Sequence, residues 1–306
     1  MSVSAIRSRE DLDRAIDRIA SAFSGNLGFA AKNQATGETV ERNADAVMPT
    51  ASVIKLAVLV EVFRQAAAEG LDLDRRLEMR EADIVRGSGI LKELGPGLTP
   101  TVRDLAMLMV VLSDNTATNM LIDLVGGVEP VNRTMHDRLG LPAIQLHNRV
   151  DFARIGNDVS RFGESTPRGM MRLVDKLVSG EVVDAASSRA MLDIMQRQQY
   201  LDQAPRYVNF SPYARELSID QSIWIGCKTG FFPGTRADAG FMRLPGDVTI
   251  VYCTMTDKAA DTSIAAESEG AITNGLLGRA LLEYWWPEKS AADVLLDSHY
   301  VRAMQG

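Results

Sequence analysis

Apolar residues recur at helical spacing over residues 9–24, where Leu12, Ala15, Ile16, Ile19, Ala20 and Phe23 punctuate a charged background. That period predicts an amphipathic helix. Short runs with strand character follow near 27–33 and 38–42, and again near 222–230, 237–244 and 248–255, before a final helical stretch at 266–285. From residue 52 to about 200 the pattern is helical, broken by loops such as Gly95-Pro96-Gly97. Sheet-forming segments at both ends of a helical middle predict an α/β (α+β) fold. Residues 1–51 and 209–306 would build one sheet domain, with 52–208 inserted as an all-α domain. Residues 287–306 extend past the last helix and are expected either to pack on the surface or to stay loose.

One apolar run carries an anomaly. Ile54 to Phe63 is apolar on every helical face except for Lys55 and Glu61, so it reads as a buried core helix. A lysine is rarely placed there without a purpose. Desolvation disfavours its charged form and would turn the ammonium into a usable base. Ser52 lies three residues earlier, on the same helical face and at the first turn, where unpaired N–H groups favour a developing oxyanion. That is the layout of an activated serine. The plainer alternative is that Thr50 or Ser52 caps the helix and Lys55 reaches the surface.

Two more polar groups interrupt apolar segments. Ser113-Asp114-Asn115 separates the run Leu105–Leu112 from the helical stretch beginning at Thr116. A buried polar loop there must bond internally, cap a helix or face a ligand. Lys228-Thr229-Gly230 closes a strand-like run, offering two donors for a carboxylate and a glycine that permits close approach to the backbone.

Composition narrows the classes. The chain has 306 residues, 46% hydrophobic and 24% charged, enough for a sizeable core. A net charge of −7 without a basic stripe argues against nucleic acid. The apolar runs are too short to span a membrane. The opening residues, Met1 to Glu10, hold no apolar leader segment. A cytoplasmic protein is therefore expected as the sequence stands, and a periplasmic or secreted one if the start is truncated. Cys227 and Cys253 are expected as free buried thiols. Neither they nor His136, His147 and His299 form a metal-ligand pattern, so no metal or cofactor is expected.

The ordered set Ser52-x-x-Lys55, Ser113-Asp114-Asn115 and Lys228-Thr229-Gly230 resembles class A β-lactamases and the wider group of penicillin-recognising serine hydrolases. Phe29-Ala30-Ala31-Lys32, Gly37-Glu38-Thr39-Val40, Gly126-Gly127 and Ser165-Thr166-Pro167 extend the likeness over nearly the whole chain. The resemblance implies a β-lactamase/transpeptidase-like fold, an antiparallel sheet flanked by helices from both termini, with the site in the cleft against the inserted helices. It makes the strands of Cys227 and Cys253 neighbours in one sheet, where a bridge between them is conceivable beside the free thiols expected. It implies Ser52 as nucleophile, Lys55 as general base or relay, and Ser113 as the group passing a proton to the leaving nitrogen. Asn115 would bind a substrate amide, and Lys228 and Thr229 a carboxylate. The backbone N–H groups of Ser52 and Phe231, beside Gly230, would form the oxyanion hole.

The likeness breaks at one point. Class A enzymes carry a deacylating glutamate in a Glu-Pro-x-Leu-Asn setting, whereas this chain reads Leu146-His147-Asn148-Arg149-Val150-Asp151-Phe152-Ala153-Arg154. An ungapped count puts Val150 at the position, and a one-residue gap puts Asp151 there as a possible deacylating group. Glu164 comes too late in the loop. Phe231-Phe232-Pro233 also makes the rim more apolar than usual. Three readings follow: a lactamase-like serine hydrolase, a cytoplasmic peptidase, amidase or esterase (or penicillin-binding-type protein) with slow deacylation, and a non-turnover binding or sensing module. The expected partner is a small lactam, amide or ester bearing a carboxylate.

Overall fold

The computed structural model describes residues 6–214, 216–219 and 221–287. The expectation for residues 287–306 falls almost wholly outside them. Helix α1 (Arg9–Ala22) starts where the Ser8 hydroxyl accepts from Asp11 N, and it buries Leu12, Ala15 and Ile16. Strands β1 (Asn26–Asn33), β2 (Thr39–Arg42) and β3 (Met48–Pro49) follow. A 3-10 turn, Ala51–Ile54, runs directly into α2 (Lys55–Ala68). Next come α3 (Val102–Val111), α4 (Asn115–Leu124) and α5 (Val128–Arg133). Then β4 (Gln145–Leu146), α6 (Phe152–Ile155) and β5 (Gly163–Ser165) lead to α7 (Pro167–Val178) and α8 (Ala185–Met195). The chain returns through β6 (Trp224–Phe232), β7 (Thr235–Leu244), β8 (Val248–Asp257) and α9 (Glu269–Trp285).

The main sheet is antiparallel, in the order β2-β1-β8-β7-β6, so strands from the two ends of the chain pair side by side. Its two faces carry separate cores. Ala237, Ala239, Phe241, Cys253 and Met255 pack with the middle helices. Phe29, Cys227 and Tyr252 pack with α1 and α9 on the other face. Cys227 and Cys253 are free and buried. With β7 between their strands and opposite faces as their surroundings, they are too far apart to bridge.

Two expectations need correction. Residues 52–208 are not all helical, because β4 and β5 join β3 in a second, three-stranded sheet. Strands of two and three residues are too short to show a period. β6 also runs past Gly230, since Phe231 pairs with Arg236 and Phe232 with Thr235 around a Pro233-Gly234 turn, with Gly234 at φ +70°.

Helix α2 is the buried central helix its pattern predicted, with every residue from Lys55 to Arg64 inside. Each fully buried Leu, Val or Phe there contributes about 1.5–3 kcal/mol, and the sum readily offsets the desolvation of the charged groups on the same helix. Glu61 and Arg64 neutralise each other at 2.7 and 2.8 Å, and Thr134 and Gln65 donate to the Glu61 carboxylate as well. Among the described residues Lys55 has no carboxylate at ion-pair distance. Among the described residues no helix is long and apolar enough to cross a membrane.

Candidate active site

The 3-10 turn brings Ser52, half-buried, to the base of a cavity of about 230 Å³. Ala51 sits at φ +43°, a strained position for a residue with a Cβ. Thr50 does not cap the helix. Its hydroxyl donates to Gly163 O at 2.9 Å, tying the turn to β5. From the other side β6 closes onto the turn at Gly230. A Cβ there would lie 2.6 Å from Thr50 O and 2.8 Å from Ser52 N. Gly230 therefore makes room for the serine turn itself, where the sequence suggested room for a ligand.

Lys55 is fully buried and points at the Ser113-Asp114-Asn115 loop. Its Nζ lies 2.7 Å from Ser113 O, 3.2 Å from Ser113 Oγ and 2.9 Å from Asn115 Oδ1. Burial pushes its ammonium well below the usual lysine range and the nearby Lys228 cation pushes it further, with Asp114 opposing both. All three oxygens accept from the Lys55 amine, Ser113 Oγ at the longest distance. Ser113 is held at φ +54°, and Ser88 Oγ also donates to Ser113 O at 2.7 Å. Asp114 is structural. It caps α4 at Ala117 N and accepts from Ile90 and Leu91 N, pinning the neighbouring loop.

Lys228 is also fully buried, and its Nζ donates to Thr229 O at 2.7 Å. Desolvation brings it down to about 7, against the smaller raising influence of Cys227 and Asp238. The Thr229 hydroxyl is buried without a hydrogen-bond partner among the described residues, a cost that a bound acceptor would relieve.

The cavity's polar side chains are Ser52, Ser88 and Asn115. Its remaining walls come from Val150, Phe152, Ile155, Val159 and Phe162, and from Phe231, Phe232, Pro233 and Ile264. Val150 faces the cavity, its backbone gripped by Asn119, which donates to Val150 O at 2.9 Å and accepts from Val150 N at 2.8 Å. Asp151 is occupied otherwise: its Oδ1 accepts from Ala153 and Arg154 N as the cap of α6. Glu164 bonds to His147 at 3.1 Å. No group of three or more His, Cys, Asp or Glu that could hold a metal occurs among the described residues.

The chain matches the Beta-lactamase enzyme family over residues 11–285. It belongs to that family. A β-lactamase of Streptomyces lavendulae is 31% identical over 90% of this chain and 88% of its own. The match to β-lactamase L2 of Stenotrophomonas maltophilia, at 28% identity, spans 56% of either protein. The β-lactamase of Sphaerobacter thermophilus superposes with a TM-score of 0.77 at 31% identity, covering 89% of this chain and 95% of that one. PBP-A, seen as a leucine-to-glutamate variant in an acyl-enzyme complex with penicillin G, has a TM-score of 0.76 at 25% identity over 91% and 97%. The fold is β-lactamase/transpeptidase-like, and the protein is a class A β-lactamase-like serine hydrolase.

Several residues of the site escaped sequence reasoning. Gly87, at φ +94°, leaves no space for a Cβ, which would sit 2.7 Å from Asn115 Nδ2 and 3.0 Å from the Phe152 ring. The tripeptide Gly87-Ser88-Gly89 was the available signal. Asn119 had none. Nor did Asp238, fully buried and paired in register with Thr229 behind the Lys228 strand. Ala204 N donates to its Oδ2 at 3.1 Å, and burial pushes its carboxyl up to about 8. The folded state thus holds this proton more tightly than the unfolded chain. Its stabilising contribution is complete below 3.8 and is lost as pH rises to about 8. Asp238→Asn is expected to flatten this dependence. Melting temperatures at pH 5 and pH 9 should differ by several degrees less in the variant than in wild type, and an equal difference would mean that Asp238 is ionised throughout.

Proposed function

We propose that this protein forms an acyl-enzyme on Ser52 with a lactam, or a related amide or ester, and releases it slowly. The observation that carries this reading is Lys55, fully buried, without a carboxylate at ion-pair distance among the described residues, and directed at Ser113 and Asn115 beside the Ser52 turn. Neutral Lys55 accepts the Ser52 proton, directly or through Ser113, as Ser52 Oγ bonds to the substrate carbonyl carbon. The carbon–nitrogen or carbon–oxygen bond then breaks, and Ser113 delivers the proton to the leaving atom. The backbone N–H groups of Ser52 and Phe231 would hold the oxyanion, where one donor is worth about 3–4 kcal/mol. Asn115 would bind a substrate amide, and Lys228 and Thr229 a carboxylate. In this reading segments 1–51 and 209–306 act as one domain against the inserted 52–208, with the site between them.

The wall at Val150 favours slow release. A carboxylate is what would draw a proton from the hydrolytic water, and Val150 has none. Asp151, the other candidate, is spent on capping α6. The test is intact-protein mass spectrometry after mixing with benzylpenicillin, beside Ser52→Ala. A long-lived single adduct on wild type alone is the expected result. Rapid hydrolysis without an adduct would remove the slow-release part, and failure of every lactam, amide and ester to react would leave a binding or sensing module.

A further inference from the structure

Gln203 and Asn274 are buried amides, 1% and 0% exposed, to which the acyl-transfer reading assigns no task. They meet where residues 203–206 lie against α9. Two glycines of that helix make the seat. A Cβ on Gly278 would lie 2.1 Å from Ala204 O, and one on Gly275 would lie 3.0 Å from the Arg206 side chain. Glycine inside a helix costs about 1 kcal/mol against alanine, so this close approach is kept at a penalty. On the sheet side, Ala204 N donates to Asp238 Oδ2 at 3.1 Å and fixes the segment to β7.

The seat also orients the glutamine. Asn274 Nδ2 donates to Gln203 Oε1 at 2.8 Å. With its acceptor end occupied, the Gln203 amide presents Nε2 to Gly230 O at 3.3 Å. Gly230 O belongs to the same peptide unit as Phe231 N–H. No peptide bond among the described residues is cis, so this carbonyl and this N–H point in opposite directions. β6 is an edge strand, with one side of its backbone free of a partner strand. A carbonyl turned inward to Gln203 leaves Phe231 N–H turned outward at that free side. A donor on the carbonyl also polarises the peptide and makes its N–H a better donor in turn.

We propose that Gln203, held in orientation by Asn274, is a positioning residue for the oxyanion hole, aiming and polarising the Gly230–Phe231 peptide from behind. The inference rests on the acyl-enzyme reading above, in which Phe231 N–H is one of the two oxyanion donors. At 3.3 Å the Gln203 bond is long, with room to shorten as charge on the substrate oxygen draws on Phe231 N–H. An interaction that strengthens only as that charge develops speeds the reaction without tightening substrate binding.

The experiment removes both amides together, as Gln203→Met with Asn274→Leu, so that neither is left buried without its partner. Stopped-flow acylation by benzylpenicillin should slow about tenfold at saturation, a fraction of the 10²–10³-fold that loss of a whole oxyanion donor costs. The half-saturating concentration should stay within about twofold. The second readout is the ester carbonyl stretch of the penicilloyl adduct, isolated by isotope-edited infrared difference spectra. It is expected at higher wavenumber in the double variant, because the carbonyl is less strongly held. Gln203→Asn, which keeps a buried amide but draws it back by one methylene, should move the band the same way by less, and it carries the test if the double variant does not fold. Lys55→Met is the contrast, slowing acylation while leaving the band in place. A band unmoved in the Gln203 variants, at whatever acylation rate, would overturn the positioning role and leave the acyl-enzyme reading standing. Absence of any Ser52-dependent adduct on wild type would overturn both.

Discussion

Lys55→Met is expected to leave a folded protein in which Ser52 is acylated by benzylpenicillin about 10²–10⁴-fold more slowly, the usual contribution of a positioned base. Methionine matches the lysine stem in length and suits a fully buried position. Of the acceptors it deserts, Ser113 O keeps the single Ser88 hydroxyl proton at 2.7 Å, and Asn115 lines the cavity. Loss of a desolvated amine that, among the described residues, has no carboxylate at ion-pair distance also removes a cost of folding. Stability should therefore hold or rise while acylation collapses, a combination that a merely structural lysine would not produce. Stopped-flow acylation alongside thermal melting decides the matter, and near-wild-type acylation would strike Lys55 from the mechanism.

Val150→Glu is expected to act on the other half of the cycle, shortening the life of the penicilloyl adduct by about 10²-fold or more. The position faces the chamber that contains Ser52, and Asn119 holds its backbone on both sides, so a new carboxylate would be delivered on a fixed frame. Apolar walls would raise its pKa, which suits a base working near neutrality. Asp151→Asn provides the contrast. Asparagine can still cap α6, so adduct lifetime should stay within about twofold. If Val150→Glu folds and its adduct persists as in wild type, slow release has another origin. If Asp151→Asn lengthens the lifetime, the carboxylate already present is the base.

The features legible in the sequence are those in which local pattern and tertiary role coincide. The all-round apolar run marked α2 as central, and the same run made Lys55 conspicuous. Ser113-Asp114-Asn115 was read both as a cap and as a site, and the structure divides it: Asp114 caps α4, while Ser113 and Asn115 face Lys55. What escaped depends on register between distant segments. Nothing local says that Gly230 abuts the Ser52 turn, that Ser113 takes a positive φ, or that Asp238 stands opposite Thr229. Whether Val150 or Asp151 faces the serine turns on a single residue of alignment in a loop without period. Asn119 holds the register in which Val150 lines the Ser52 cavity.

The pairing of β1 with β8, from Asn26–Asp257 to Asn33–Ile250, has a consequence for the birth of the protein. An N-terminal strand must wait for the last strand before it gains its inner neighbour, and the Ser52 turn must wait for β6 to seal it. While the chain is still on the ribosome the middle helices can collapse around α2, but the serine has no second wall. Such long-range closure is slow and leaves sheet edges open until late. Chemical competence should therefore appear late in folding, once β8 has paired with β1 and β6 has closed onto the Ser52 turn.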